Sequence, residues 1–333
     1  MANAQARYFE QLDEGVVRCI LCPHHCRLKE GQVGICRVRS NQDGSLRTHN
    51  YGEVTSLALD PIEKKPLFHF YPGTYILSAG SYGCNLGCSF CQNWSIAHGT
   101  PPTTYTEAEK MVEITRSCHR DGSVGLAFTY NEPSIWYEYI MDVAPRLQEL
   151  GFKTVMVTNG FIEKGPLEDL LTCIDAFNID VKGFNKHFYP QMCKGRLKPV
   201  QETVERAIGR AHVEITTLLI PGKNDSEDEI RALAQWLASL DRQTVLHLSK
   251  YHPDYQLELP TTPTATIIRA REIALEYLDF VFTGNIPGEV NNTNCINCGH
   301  EIIHRNVYRI EITGVRDRHC AQCGAELGYI KGL

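Results

Sequence analysis

The chain has 333 residues, a length that allows about two domains of ordinary size. Hydrophobic residues make up 43% and charged residues 22%, which excludes a disordered or collagen-like chain. The net charge is -6, so no long-range positive field exists to attract nucleic acid, and a nucleic-acid partner is not expected. Residues 1–15 lack the apolar core of a secretory signal, and no apolar run reaches the ~18 residues of a membrane span. We therefore expect a cytoplasmic protein with no membrane partner.

Three regions follow one another along the chain. Residues 1–65 are polar and turn-rich, and we assign them to an N-terminal region that binds metal. From about residue 75, short apolar segments alternate with segments of helical period. The predicted strands are Tyr75–Ser81, Val124–Thr129, Thr154–Thr158, Ala176–Val181, Val213–Ile220, Val245–Leu248 and Phe280–Phe282. The predicted helices are Glu107–Arg120, Ser134–Leu150, Gly165–Cys173, Pro199–Arg210, Ser226–Leu240 and Thr264–Leu278.

This alternation predicts an α/β fold with parallel strands joined by crossover helices. A full or partial (β/α) barrel over residues 66–286 fits the repeat, with a doubly wound sheet as the alternative. In a barrel the chemistry lies at the C-terminal ends of the strands, where most motifs of this chain fall. Residues 287–333 form a Cys-rich tail with a strand-like segment, Val307–Thr313.

Cysteine is unusually frequent, with 14 residues. All but Cys118, Cys173 and Cys193 fall in three clusters. The clusters are Cys19, Cys22, Cys26 and Cys36; Cys84, Cys88 and Cys91; and Cys295, Cys298, Cys320 and Cys323. In a reducing compartment, closely spaced thiols serve metals more often than disulfides. The sequence therefore predicts three metal sites.

The central cluster offers three thiolates on one short loop after the first barrel strand. A [4Fe–4S] cluster ordinarily takes four thiolates, so one iron would stay open for a substrate or cofactor. The alternative is a structural zinc or electron-transfer site with a remote fourth ligand. Three ligands at a barrel strand end favour the open, catalytic cluster held by Cys84, Cys88 and Cys91.

The outer clusters each offer four thiolates. Two Cys-x2-Cys-Gly segments near the C-terminus predict a zinc ribbon formed by Cys295, Cys298, Cys320 and Cys323. At the N-terminus, Cys19, Cys22, Cys26 and Cys36 suit either a closed zinc site, which we favour slightly, or a second iron–sulfur cluster.

Polar residues stand at the ends of later strands. Glu132 could accept hydrogen bonds from an ammonium group or cap the next helix. Asn159 could bind a ribose or carboxylate, or simply form a turn. Asn178, Asp180 and Lys182 alternate on one face of a strand, where they could bind a zwitterion or leave Asp180 and Lys182 as an internal ion pair.

The spacing Cys-x3-Cys-x2-Cys, with Phe90 before the last cysteine, resembles radical S-adenosylmethionine (SAM) enzymes. The resemblance implies that SAM chelates the open iron and that a low-potential electron donor reduces the cluster. It further implies that SAM is cleaved to a 5′-deoxyadenosyl radical. In that family a Gly-Gly-Glu-Pro segment binds the amino group of SAM, and here Tyr130, Asn131, Glu132 and Pro133 occupy its place.

The other expected SAM contacts also come from this resemblance. Asp180 and Lys182 match a SAM-proximal pair in the activating enzymes of pyruvate formate-lyase. Asn159 follows a strand where those enzymes look similar. His252 aligns with a histidine near SAM, although a histidine on a surface loop fits the sequence equally well.

The resemblance spans nearly the whole chain. The segments CILCPHHC, DPIEKKPL, HFYPG, CQNW and TYNEP, with the terminal ribbon, look like the radical SAM member of the AmmeMemoRadiSam system. That likeness implies Memo-type and Ammecr-type companion proteins. Our first hypothesis is an oxidoreductase that abstracts hydrogen from an unidentified substrate. The alternatives are an activase of the pyruvate formate-lyase type, which makes a glycyl radical on a partner, and a metal-stabilised scaffold that binds RNA or protein.

Overall fold

An eight-stranded sheet forms the centre of the protein in a computed structural model, which describes residues 4–286 and 291–333. The strands are β1 (Ser56–Pro61), β2 (Tyr75–Gly80), β3 (Ser123–Phe128), β4 (Lys153–Thr158), β5 (Ala176–Asp180), β6 (His212–Leu219), β7 (Val245–Lys250) and β8 (Val281–Gly284). They neighbour one another in chain order. Every neighbouring pair is parallel except β1 and β2, which are antiparallel.

Six helices connect the parallel strands. They are α1 (Ala108–Ser117), α2 (Tyr137–Glu149), α3 (Lys164–Leu170), α4 (Leu197–Ala207), α5 (Glu227–Leu240) and α6 (Thr264–Leu275). In α5 the residues Ile230, Leu233, Ala234 and Leu237 are buried, the spacing of one helical face. Ser226 caps this helix by accepting a hydrogen bond from the Glu229 amide at 3.3 Å. Shorter helical segments are Asp13–Gly15, Ile62–Lys64, Trp94–Ala97, Cys118–Asp121, Pro133–Trp136 and Tyr189–Cys193.

The strand order confirms the predicted partial barrel. A doubly wound sheet reverses its order at a switch point, and here the order does not reverse. Strands β1 and β8 lie at opposite edges, so the barrel stays open between them. All seven predicted strands and all six predicted helices are present, with ends shifted by a few residues. Strand β1 was not predicted.

The N-terminal region consists of short strands around the first cysteine cluster. They are Ala4–Gln5, Phe9–Gln11, Val17–Cys19, Arg27–Leu28, Arg39–Gln42, Ser45–Thr48 and Glu53–Val54, the last paired with Thr104–Tyr105. A buried ion pair fixes this region to α2, because Arg39 Nη2 lies 2.6 and 2.7 Å from the two carboxylate oxygens of Glu138. The Arg7 amide also donates to Glu138, at 2.7 Å.

The C-terminal tail has the short strands Thr293–Asn294, Glu301–Asn306, Arg309–Ile312, Val315–Arg316 and His319–Cys320. The predicted strand Val307–Thr313 is wrong at its start, because Val307 has a φ of 55° and forms a hairpin turn with Tyr308. The predicted domain boundary at 286/287 adjoins residues 287–290, which lie outside the described residues.

The tail docks onto the segment between β1 and β2. Arg305 donates to the Phe68 carbonyl at 2.6 Å and stacks on the Phe68 ring. The His69 ring hydrogen-bonds Thr293 at 2.9 Å, and the Tyr71 amide donates to the Lys331 carbonyl at 2.8 Å. Phe68 and the HFYPG segment that follows it therefore hold the tail against the barrel.

No helix within residues 4–286 and 291–333 combines the length and apolar character needed to cross a bilayer.

Candidate active site

The loop that carries the central cysteines follows β2 directly. Cys88 is buried, and Cys84 and Cys91 are partly buried. Two backbone hydrogen bonds fix the loop to the turn Tyr189–Cys193: Gly87 donates to the Cys193 carbonyl at 2.8 Å, and Ser89 donates to the Met192 carbonyl at 3.0 Å. The three sulfurs are therefore held by a second segment far along the chain.

The three cysteines line a cavity of about 290 Å³ at the C-terminal ends of the strands. The structure brings most of the predicted site together there. The predicted residues that line this cavity are Cys84, Cys88, Cys91, Phe90, Asn131, Glu132, Asn159, Asp180 and Lys182. The position matches the rule that barrel chemistry collects at this end.

His252 does not line this cavity. It lies on an exposed loop, where its ring atoms Nδ1 and Nε2 are 3.4 and 3.3 Å from Gln92 Nε2. Gln92 lines the cavity. Its assignment as a SAM contact stays a prediction.

Glu132 is buried and already receives three hydrogen bonds. One carboxylate oxygen accepts from the Ser134 amide at 2.9 Å and the Thr158 hydroxyl at 2.6 Å. The other accepts from the Asn159 amide at 2.8 Å. The expected helix cap is therefore present, yet a carboxylate has about four acceptor sites, and one remains. Burial raises the pKa of Glu132, and the three hydrogen bonds oppose that rise.

Tyr130 has a strained backbone at the rim of the strand β3 end. Its φ is 74°, in the left-handed region that glycine adopts without strain. Its hydroxyl donates to Asp60 at 2.7 Å, and Lys65 lies 5.0 Å from the centre of its ring. Asp60 and Lys65 belong to the DPIEKKPL segment, so that segment anchors Tyr130.

Asn131 joins β2 to the cysteine loop. Its side-chain oxygen accepts from the Ser81 amide at 3.0 Å, and its side-chain nitrogen donates to the Gly83 carbonyl at 3.1 Å. Asn131 therefore holds the start of the loop, and one side-chain N–H and one oxygen lone pair remain for a ligand.

Asn159 supports the first cysteine of the loop. Its side-chain nitrogen donates to Asn85 at 2.9 Å and lies 3.7 Å from the Cys84 sulfur. Asn85 in turn donates to the Phe161 carbonyl at 2.7 Å. Asn159 thus positions the loop in addition to lining the cavity.

Asp180 and Lys182 form an ion pair of 2.9 Å at the wall of the cavity. Burial alone would lower the pKa of Lys182, but the Asp180 carboxylate and the nearby Cys88 sulfur raise it well above its ordinary value. Asn178, on the same face, is bound by protein: it donates to the Pro66 carbonyl at 2.7 Å and accepts from Thr216 at 2.9 Å. Asp180 and Lys182 therefore pair with each other and still line the cavity.

Cys193 lies beside the site, and no motif in the sequence predicted this position. It is fully buried and contacts Cys88, but it does not line the cavity. Its hydrogen bond with the Cys88 thiol is the largest cause that raises the pKa of Cys88, followed by burial. Burial also raises the pKa of Cys84, and it raises that of Cys91 to about 11.

The C-terminal cysteines form a compact group. The sulfurs of Cys295, Cys298, Cys320 and Cys323 all lie within 4.8 Å of one another, so they could hold a metal ion. Cys19, Cys22, Cys26 and Cys36 line a separate small cavity.

A second cavity, of about 730 Å³, adjoins the first. It lies between the open side of the barrel and the C-terminal tail, and it shares Thr216, Ser249 and Asn285 with the first cavity. Glu63 and His247 line it from the barrel, and His304 and Arg305 line it from the tail.

Comparisons with known proteins agree with this geometry. The model of the radical SAM superfamily matches residues 79–237. An uncharacterised protein of Methanocaldococcus jannaschii is 42% identical over 98% of this chain and 99% of its own length. The pyruvate formate-lyase-activating enzyme of Clostridium pasteurianum is 26% identical over 51% of this chain and 72% of its own length.

The fold has a counterpart among solved structures. A radical SAM methyltransferase from Sphaerobacter thermophilus superposes with a TM-score of 0.51 at 17% identity, over 90% of this chain and 81% of that one. The partial barrel and the three-cysteine loop define a radical SAM protein. The chain belongs to the radical SAM superfamily and is similar to pyruvate formate-lyase activating enzymes. The predicted enzyme class is confirmed.

Proposed function

We propose that this chain cleaves SAM reductively in the 290 Å³ cavity and uses the 5′-deoxyadenosyl radical to abstract hydrogen from a substrate bound beside it. The observation that supports this most is the count of thiols. Among the described residues that line the cavity, Cys84, Cys88 and Cys91 are the cysteines, and Cys193 lies outside it. Three thiols suit a [4Fe–4S] cluster with one open iron. Such a cluster would supply the electron that cleaves SAM.

The residues around the thiols suit a zwitterionic ligand. Glu132 would accept a hydrogen bond from the ammonium group of SAM at its remaining acceptor site. Lys182, held in the cationic state by Asp180, would attract the carboxylate. Asn131 and Asn159 would keep the cysteine loop in place while the ligand binds.

The adjoining 730 Å³ cavity would hold the substrate. Its volume suits a small molecule. His247, His304 and Arg305 offer cationic or hydrogen-bonding groups, and Glu63 offers a carboxylate. We infer a small polar substrate, free or presented by a companion protein. Memo-type and Ammecr-type companions, a place in the AmmeMemoRadiSam system and a cytoplasmic location belong to the same proposal.

Anaerobic reconstitution tests the reaction. The chain is loaded with iron and sulfide, reduced with dithionite, and incubated with SAM, and 5′-deoxyadenosine is measured. Wild type and Cys118→Ala, which alters a half-buried cysteine outside the cavity, should form the product. Cys88→Ala should form none. If wild type forms no more 5′-deoxyadenosine than the background of Cys88→Ala, the proposal is overturned and the scaffold alternative is favoured.

A second candidate is glycyl-radical activation, favoured by the similarity to the pyruvate formate-lyase-activating enzyme. Incubation with a glycyl-radical protein, SAM and reductant should then give an organic-radical doublet in the EPR spectrum. A spectrum without the doublet would count against this candidate for the partner tested.

We also propose that the C-terminal cysteines bind zinc. Four sulfurs within 4.8 Å suit a tetrahedral site. Glycines at 299 and 324 adopt left-handed φ values of 75° and 73°, as knuckle turns around a metal require. Cys320→Ser should release about one zinc ion per chain. An unchanged zinc content would contradict this assignment.

A further inference from the structure

A strongly basic segment joins β5 to α4 and continues into that helix. Residues 181–201 include five lysines and arginines and no aspartate or glutamate, although the chain as a whole has a net charge of -6. The basic residues are Lys182, Lys186, Lys194, Arg196 and Lys198. Lys182 lines the active-site cavity, and the other four are exposed. The segment therefore presents a local concentration of positive charge to solvent.

This segment packs on the loop that carries the central cysteines. Two backbone hydrogen bonds join that loop to the turn Tyr189–Cys193. The next residue, Lys194, has a φ of 59°, a left-handed conformation that is uncommon for residues other than glycine. Its side chain lies over Gly87, where an added Cβ would be 3.2 Å from Lys194 Cγ. Lys194 therefore stands beside the stretch of chain that links Cys84 to Cys88.

The cysteine loop comes to the surface next to Lys194. Gly87 and Ser89 are partly exposed, whereas Cys88 between them is buried. Lys194 does not line the 290 Å³ cavity, so a partner bound at Lys194 would not need the space that SAM is proposed to fill. The surface beside Lys194 is therefore a second approach to the cysteine loop.

The positive charge on this surface is largely uncompensated. Lys194 Nζ donates to the Gln191 carbonyl at 3.4 Å, and Arg196 donates to the Pro23 carbonyl at 2.9 Å, so both bind neutral acceptors. Lys198 has an acidic neighbour, Glu202, at 3.8 Å. Lys194 and Lys198 are four positions apart, and four residues of chain span at most about 14 Å. Lys194, Arg196 and Lys198 therefore form one patch, which we call the basic surface.

We propose that the basic surface docks an acidic, low-potential electron carrier of the ferredoxin type. This inference rests on the proposed function, which requires a donor for the cluster proposed at Cys84, Cys88 and Cys91. Reduced ferredoxin would give up one electron and the oxidised cluster would gain it, with no bond formed or broken and no proton moved. A positive patch attracts a partner of opposite charge and speeds their encounter.

The position of the basic surface favours an electron carrier over nucleic acid. Contact with the cysteine loop brings a docked carrier close to the group that it has to reduce, whereas it offers nothing to an RNA strand. Nucleic acid also binds through many phosphate contacts, and the net charge of -6 repels a long polyanion beyond this one patch.

Binding of an acidic ferredoxin to the reconstituted full chain tests the docking. Isothermal titration at low ionic strength should show binding to wild type that weakens as salt is added. In Lys194→Glu/Lys198→Glu the Kd should rise about tenfold or more, because like charges then face each other. Lys110→Glu/Arg116→Glu, which reverses two exposed charges on α1, is the matched control and should bind as wild type does.

Three results of this titration would overturn the proposal. They are an absence of binding to wild type, an equal Kd for wild type and Lys194→Glu/Lys198→Glu, and tighter binding of a single-stranded RNA oligonucleotide than of ferredoxin. The last result would assign the basic surface to nucleic acid.

SAM cleavage with two reductants separates docking from chemistry. With dithionite, a small reductant that needs no docking surface, wild type and both double variants should form 5′-deoxyadenosine at equal rates. With reduced ferredoxin below saturation, the rate of Lys194→Glu/Lys198→Glu should fall about tenfold or more, and that of the control should not. An equal fall with both reductants would contradict the proposal. If wild type forms no product with dithionite, the proposed function fails, whereas the titration still decides the docking.

Discussion

Glu132→Gln separates a SAM-binding role of this residue from a purely structural one. Its carboxylate accepts from the Ser134 amide, the Thr158 hydroxyl and the Asn159 amide. A glutamine keeps one accepting oxygen, which can serve the first two donors. The amide nitrogen then faces the Asn159 N–H, so one buried donor loses its partner.

The structural role of Glu132 affects the free energy of unfolding, whereas the SAM-binding role affects the Kd for SAM. The unsatisfied Asn159 amide should lower the free energy of unfolding by about 1–3 kcal/mol. Loss of a charge-assisted hydrogen bond to the ammonium group of SAM should cost about 1.5–3 kcal/mol of binding energy. At about 1.4 kcal/mol per tenfold, the Kd for SAM should rise roughly 10- to 150-fold.

Isothermal titration of the reconstituted protein with SAM measures the Kd, and denaturant unfolding measures stability. Glu109→Gln, which changes an exposed carboxylate on α1, is the matched control and should leave both unchanged. A Glu132→Gln variant that loses stability but binds SAM within twofold of wild type would refute the binding role and leave Glu132 as a helix cap.

Three further predictions concern the surroundings of the site. Glu138→Ala leaves the buried Arg39 charge without its partner, so it should lower the free energy of unfolding by about 3–5 kcal/mol. Glu109→Ala, which breaks an exposed ion pair, is the control and should lower it by about 0–1 kcal/mol. Denaturant unfolding curves measure both values. Cys193→Ser should keep the wild-type iron content, because this thiol lies outside the cavity; lost iron would make it a ligand. Hydrogen bonds from two histidines hold the pKa of Glu214 well below its ordinary value of 4.5 against the effect of burial. Glu214 therefore stabilises the fold above that pH and loses its contribution below it, so the stabilities of wild type and Glu214→Gln should converge as the solution is acidified.

Local patterns in the sequence were enough to predict the sheet and most of the cavity. The apolar segments and helix signals, such as Ser226 before α5, depend on near neighbours. The cysteine loop, Glu132 and the Asp180–Lys182 pair each follow a strand, and parallel strands bring their C-terminal ends together. Their meeting in one cavity therefore follows from the fold.

The sequence did not predict contacts between segments that lie far apart along the chain. Cys193 reaches Cys88 because a helical turn packs on the loop, and Asp60 reaches Tyr130 because β1 pairs with β2. Zinc and an iron–sulfur cluster also stayed alternatives at Cys19, Cys22, Cys26 and Cys36, because spacing along the chain does not fix the distance between sulfurs.

The most direct test of an open iron at the central site is EPR spectroscopy of the reduced protein with and without SAM. A variant with Cys22→Ala and Cys36→Ala removes any iron bound by the N-terminal cysteines, so its signal would come from the cluster proposed at Cys84, Cys88 and Cys91. We predict that SAM changes the g-values of that signal, because in the proposed function SAM would bind the iron that no side chain ligates. A spectrum identical with and without SAM, at SAM concentrations well above its Kd, would contradict the account.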